Sequence, residues 1–238
     1  MNLQSFRKMF LSLSGRYDLV DEDYSDNGLQ VFIDEGGKFL DRLDETQKSW
    51  ATRFADLALG ESFVTFPYCR AIKEVWAACV TTGRWQLEKK DLQDLMEGYL
   101  RTLPAEMSTG VPLYYSPCVT RSVPMKDTIA SFESLMGYVE VTDSNYNAVL
   151  VNVPTSEDIT VIVKGLFYTP LMVEDADANY WSEAHPLLLY MSTMRQIEVI
   201  NRSTQGVNDW MSSIALEMKQ LGMDLVEEII AEVSQMEG

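Results

Sequence analysis

Leu3, Phe6, Phe10 and Leu13 recur at helical spacing, which predicts an amphipathic helix over residues 2–14. Leu29, Phe32, Ile33, Phe39, Leu40 and Leu43 form the apolar stripe of a second helix, expected over residues 25–43. Gly36 and Gly37 lie inside it, each costing roughly 1 kcal/mol relative to alanine. With no GxxxxGK pattern around them, they read as points of close packing rather than phosphate contacts. The middle of the chain changes character. "SWATRFADL", "ESFVTF" and "RAIKEVWAACV" are rich in aromatic and β-branched residues and are punctuated by Gly60 and Pro67, as strands are. A short helix is expected near residues 89–100. Beyond it "GYVEV" and "NAVLVNV", joined by the polar turn "TDSNY", predict a hairpin, and "ITVIVKGLF" a further strand. Val149, Val151 and Val153 alternate with Ala148, Leu150 and Asn152, the period of a sheet with one face buried.

Past Pro170 the strand pattern stops. Pro186 suits the first position of a helix whose stripe is Leu187, Leu188, Met191, Met194 and Ile197. The turn "RSTQG" then leads to a last helix from about Val207 to Val233, striped by Trp210, Ile214, Met218, Leu221, Leu225, Ile229 and Val233. At 1.5 Å per residue it runs roughly 40 Å, about the width of a globule of this size. Trp210 and Ile214 suit a core within the chain. The distal residues Val226, Ile229, Ile230 and Val233 are candidates for a partner's surface. The layout predicts an α+β fold, a helical bundle formed by the N- and C-terminal helices with a large antiparallel β-sheet insertion. Residues 1–46 hold the N-terminal helices, 47–170 the β-rich module, and 171–238 the C-terminal helices that complete the helical part.

The polar stretch "DLVDEDYSDNG", from Asp18 to Gly28, poses the question of a calcium loop. Counted from Asp21, positions 1, 3 and 5 are Asp21, Asp23 and Ser25, which fit. Position 6 is Asp26 where glycine makes the sharp turn, and position 12 is Phe32 where a bidentate glutamate is needed. The alternative is a helix start, with Ser25 or Asp26 accepting from the free N–H groups of the next turn.

Composition sharpens this picture in two ways. The 46% apolar and 11% aromatic content belongs to a folded chain, and no run approaches the 18 apolar residues of a membrane span. The apolar run near the N-terminus is too short for a signal peptide, and three cysteines do not make a disulfide framework, so synthesis in a reducing cytoplasm is expected. The net charge is −17, with 36 acids against 19 bases. That opposes nucleic-acid binding by clustered Lys and Arg. Residues 165–194 hold four acids and no Lys or Arg, and residues 205–238 hold seven acids and only Lys219.

Chemistry-bearing patterns are sparse. His185 is the single histidine, preceding a proline at a helix start, so a capping or surface role is expected. Cys69, Cys79, Cys118 and His185 contain no close ligand pair of the C-x₂₋₄-C kind, and no GxGxxG, GxSxG or HExxH occurs. The carboxylate runs (Glu227–Glu228, Asp21–Glu22–Asp23) read as solvated faces. The scattered Trp50, Trp76, Trp85, Trp181 and Trp210 read as core residues rather than stacking platforms. No catalytic residue, no metal site and no cofactor are expected.

Particular words carry more. "FLSLSGRYDLV" followed by "SDNGLQVFIDEGGKFLDRL", then "CRAIKEVWAA…RWQLEKKDLQDL", "GVPLYYSPC" and "YWSEAHPLLLYMS" resemble the head-to-tail adaptor (connector) proteins of tailed bacteriophages, over most of the chain. The matching residues are packing residues. The resemblance implies a virion structural protein of the neck. Such proteins form closed rings, commonly of twelve copies, under the portal protein, extend the DNA channel and offer a face to tail or nozzle components. Double-stranded DNA would pass the lumen without specific binding, and no membrane is involved. It further implies that the C-terminal segment reaches the portal, through Val226, Ile229, Ile230 and Val233, and that Glu183, Asp209 and Glu217 flank the channel. The large sheet insertion departs from the small all-helical members of that family. The rival readings are a tail-completion or other neck protein, an enzyme of another type, and an acidic oligomeric interaction module acting outside a virion.

Overall fold

The computed structural model describes residues 1–44, 50–101, 108–119 and 147–236, with side chains of 100, 119 and 223–236 outside that description. The fold is α+β, with helices toward both ends of the chain and sheets between. The chain divides into a helical unit, residues 1–49 with 169–238, and a sheet unit, residues 50–168.

In the helical unit, α1 (Leu3–Ser14) opens on Asn2, whose side chain accepts from the Ser5 N–H at 2.9 Å, and closes on Gly15 at φ 65°. The acidic stretch after it is a tight reversal. Val20 bridges Asp26 antiparallel, Tyr24 takes the left-handed conformation at φ 69°, and the Ser25 hydroxyl donates to Asp23 at 2.7 Å. The cap residue of α2 (Leu29–Leu43) is Gly28, not Ser25. Asp26 nevertheless accepts from the Gln30 N–H at 2.9 Å, within the first turn of that helix. Three helices follow in the second half: α4 (Tyr180–Ala184), α5 (Pro186–Ile200) and α6 (Thr204–Met236). Pro186 occupies the first helical position of α5, where its missing N–H costs nothing.

The stripes read from the sequence meet here. Leu3, Phe6, Phe10, Leu29, Ile33, Leu40, Trp181, Leu188, Leu189, Ile197 and Ile214 form one buried cluster. Each such side chain contributes about 1.5–3 kcal/mol on burial. Helices α2 and α5 approach closely at Gly36, where a Cβ would stand 3.1 Å from the Thr193 nitrogen and 3.2 Å from the Ser192 hydroxyl. The Ser192 hydroxyl donates to the Gly36 carbonyl at 2.7 Å. Close packing was expected at Gly37 as well. Nothing lies within 4 Å of a Cβ there, because Gly37 is a third of a turn away from the shared face. The last helix begins at Thr204, so much of "RSTQG" is its first turn rather than a loop, and its 33 residues span about 50 Å.

The sheet unit carries β1 (Trp50–Leu57), β2 (Phe63–Thr65), β3 (Cys69–Cys79), β4 (Gly83–Gln86), β5 (Glu88–Lys89), α3 (Leu92–Arg101), β6 (Tyr114–Val119), β7 (Asn147–Val151) and β8 (Ile159–Phe167). One sheet has the order β1-β8-β3-β4 and the other β2-β7-β6-β5. Among the described strands every pairing is antiparallel except β5 with β6, and an isolated parallel bridge joins Gly110 to Thr155. Leu57, Val75, Ala77, Val161 and Val163 of the first sheet share a buried cluster with Tyr115, Val149 and Val151 of the second, so the two sheets pack face to face. The expectation of one buried face for "NAVLVNV" is corrected. Ala148, Val149, Leu150 and Val151 are all fully buried. Val149 and Val151 face the opposing sheet, while Ala148 and Leu150 pack with Leu95 and Tyr99 of α3. The helix covers the face that alternation assigned to solvent. It starts at Leu92 rather than Lys89, since Lys89 belongs to β5 and pairs with Tyr115. The expected strand "GYVEV" and turn "TDSNY" lie outside the described residues.

Candidate functional site

The helical unit is organised around a buried carboxylate. Asp41, near the end of α2, accepts from the Trp181 indole N–H at 2.8 Å, the Thr169 N–H at 2.8 Å and the Thr169 hydroxyl at 2.7 Å. Charge-assisted bonds of this kind are roughly twice as strong as neutral ones, and three of them satisfy donors that burial would otherwise leave unpaired. Asp41 thereby ties α2 to the entry of the second helical segment. No periodicity marks this cluster, because its members lie 128 and 140 residues apart. Trp181 is held from a second side by the capping box of α4, in which Asn179 accepts from the Ser182 N–H and the Ser182 hydroxyl bonds the Asn179 backbone. Arg7, also buried, reaches Asp175 at 2.7 Å and Gln30 at 3.3 Å.

His185 sits between α4 and α5, the cap residue of both by position, yet its side chain makes no capping bond. Its Nε2 lies 3.3 Å from the Tyr180 hydroxyl, and its ring tilts against Tyr180 and Trp181. No group of three His, Cys, Asp or Glu side chains able to hold a metal occurs among the described residues. Burial pushes the Cys69 and Cys118 thiols up to about 12, so both stay protonated near neutrality and are poor nucleophiles. Cys79 donates to Glu157 at 3.2 Å and accepts from the Thr82 N–H.

What the helical unit presents outward is charge and an apolar groove. Glu183 on α4 and Asp209 and Glu217 on α6 are exposed. Asp18 is paired with Arg16 at 2.7 Å, and that hydrogen bond holds its carboxyl below the usual range. Asp177 accepts from the Val173 and Glu174 N–H groups and is lowered for that reason. A groove of about 440 Å³ runs between the end of α1, α5 and α6, lined by Leu13, Leu187, Tyr190, Met191, Trp210 and Leu216 together with Ser213 and Glu217. Ile214 enters the core, as expected of the proximal part of that stripe, whereas Trp210 is half-buried at the groove and packs edge-on to Tyr190, with centroids 6.1 Å apart. Of the groove's residues, the sequence stripes named Leu13, Leu187, Met191 and Trp210, as parts of buried faces, and did not name Tyr190 or Leu216. Leu13 and Leu187 are in fact exposed beside the groove. The backbone at Val226, Ile229, Ile230 and Val233 continues the same helix, and their side chains lie outside the described residues.

The sheet unit presents a mixed aromatic and basic face. Trp50, Phe54 and Trp76 lie on the outer side of the β1-β8-β3-β4 sheet, in register with Leu166 and Ile162 of β8. Lys73 and Lys164 both stand over the Trp50 ring, at 4.9 and 5.6 Å. No helix among the described residues is long and apolar enough to cross a membrane. Comparison with known proteins finds no protein-family model that matches this chain and no match among curated proteins.

Proposed function

We propose that this chain is a head-to-tail adaptor subunit of a tailed-bacteriophage virion. It forms a closed ring, expected to hold twelve copies, under the portal protein, extends the DNA channel and provides the attachment face for tail or nozzle components. The reading rests on the resemblance of the quoted segments. The observation that best supports it is α6. This helix runs about 50 Å; among its residues with described side chains, Ile214 and Met218 join the buried core and its packed margin, and the apolar stripe of the sequence continues well beyond them. An apolar helical stripe can serve a partner by laying anchors at i, i+3, i+4 and i+7 into a groove. Val226, Ile229, Ile230 and Val233 are those anchors in this reading, and the portal is the partner. The exposed Glu183, Asp209 and Glu217 supply negative charge at a channel through which DNA slides without adhering.

The deciding experiment is deletion of residues 226–238. The shortened subunit is expected to fold and to form the same ring by native mass spectrometry, yet to be absent from purified portal-bearing capsids. Normal incorporation of the shortened protein would overturn the docking assignment. A full-length protein that neither assembles nor associates with any portal-bearing particle would overturn the adaptor reading itself.

A further inference from the structure

The edges of the two sheets differ in kind. Among the described residues there are four edges, and three of them are short: β2 has three residues, β5 two and β4 four. The fourth, β1, is eight residues long, and its pairing with β8 runs without a bulge from Trp50–Leu166 to Leu57–Ile159. It has neither proline nor lysine, and its charged residues are Arg53, which stands over the Phe167 ring, and Asp56. Thr52, Arg53 and Phe54 at its centre are exposed, Phe54 by 65%. Such a strand offers a row of N–H and C=O groups to another strand.

Strand direction names the complement. In the order β1-β8-β3-β4 each neighbour is antiparallel, so β4, at the far edge, runs opposite to β1. A second copy placed by rotation therefore meets β4 with its own β1 in antiparallel sense, the relation already used throughout the sheet. Charge agrees with this. Arg84 and Gln86 of β4 pair with Ala78 and Trp76, on the outer side of the sheet, and Phe54 and Asp56 of β1 lie on that same side. An antiparallel register with Arg84 opposite Asp56 sets Gln86 opposite Phe54. The contact is head-to-tail, which closed rings require, whereas β1 against a second β1 is two-fold and ends at a dimer.

We propose that β4 of one copy pairs with β1 of the next, joining the four-stranded sheets of adjacent subunits into one antiparallel belt. This rests on the ring reading above and names the surface that closes it. Hydrogen exchange on the unmodified protein tests it with residue resolution. In the free subunit, alternate amides of residues 51–56 bond to β8, and the others have no backbone partner among the described residues and are expected to exchange fast. In the assembled state the free set is expected to slow by at least tenfold. A disulfide trap is independent of this. Asp56→Cys with Arg84→Cys, in a Cys79→Ser background, is expected to give an oxidised ladder beyond the dimer, while each single change gives none. An assembled ring in which the alternate amides stay fast and no ladder forms would overturn the belt while leaving the adaptor reading intact. Dimers from Asp56→Cys alone would overturn it in favour of two-fold pairing. If the double variant does not assemble, the exchange pattern decides. A protein that stays monomeric at every concentration overturns the belt and the ring together, and mass alone reports that case.

Discussion

The helical and sheet units divide the chain equally, at 119 residues each, yet they divide its charge very unequally. The helical unit holds 22 acids against 9 bases and the sheet unit 14 against 10. Among the described residues the helical unit keeps most of its acids in water and lets a buried one, Asp41, act as a hub for donors from Trp181 and Thr169. The sheet unit relies on apolar contact on both faces of β7. The same length of chain is thus stabilised in two ways, one sensitive to the loss of a single acceptor and the other to the spacing between strands. Net charge describes neither. The −17 of the whole chain belongs mostly to one unit's surface.

Changes aimed at one unit should show how separate these designs are. The largest effect is expected from Gly165→Ala in β8, because a Cβ there would stand 2.2 Å from the Ala71 carbonyl oxygen. Backbone cannot swing aside as a side chain can, so β3 and β8 must separate locally, at about 4 kcal/mol or more. Hydrogen exchange should show the loss across β1, β3 and β8. Next, Asp41→Ala strands the Trp181 indole and both Thr169 donors, costing roughly 3 kcal/mol in the helical unit alone. Calorimetry that showed both units melting earlier by equal amounts would break the distinction. Gly36→Ala places a methyl against Ser192 and Thr193. The crowding outweighs the roughly 1 kcal/mol that alanine gains in helix propensity, leaving a net loss of about 1 kcal/mol. Thermal melting should rank it well below Asp41→Ala. The smallest effect concerns pH. The Asp177 carboxyl is lowered by the Val173 and Glu174 N–H groups, so its stabilising bonds are present above the ordinary aspartate range. They are lost only as pH falls through its depressed folded value. Protection of the Val173 and Glu174 amides, relative to their intrinsic exchange rates, should therefore persist through the ordinary aspartate range and fall only at more acidic pH, with no matching change in the sheet unit.

Legibility in the sequence followed the range of the interaction. Leu3, Phe6 and Phe10, or Leu29, Ile33 and Leu40, announce a buried helical face because the signal repeats within a dozen residues. Pro186 announces a helix start for an equally local reason. The second buried face of β7 was not legible, because it exists only through α3, some fifty residues earlier, and a valine-rich strand alternates in the same way with or without that cover. Strands β4 and β5 are too short to carry a period. Asp41 looked like any other acid of an acidic chain, since nothing near it in sequence foretells Thr169 or Trp181. The acidic loop gave half its answer. Asp26 does serve the next helix, but the turn at Tyr24 and the cap at Gly28 depend on backbone conformations that composition does not show.

The insertion of one unit within the other sets a timetable for synthesis. Leu3, Phe6 and Phe10 emerge from the ribosome well ahead of their core partners Trp181, Leu188 and Leu189, which follow more than 170 residues later. At about 5–20 residues per second that is a wait on the order of ten seconds or more, during which α1 and α2 have no partner for their apolar faces. The sheet unit is continuous in sequence and has all its strands in hand by residue 168. It can fold during the wait, whereas the helical unit cannot. Newly made chains therefore pass through a stage with a finished sheet unit and two bare amphipathic helices, the stage at which a chaperone or a premature contact with another nascent chain would act.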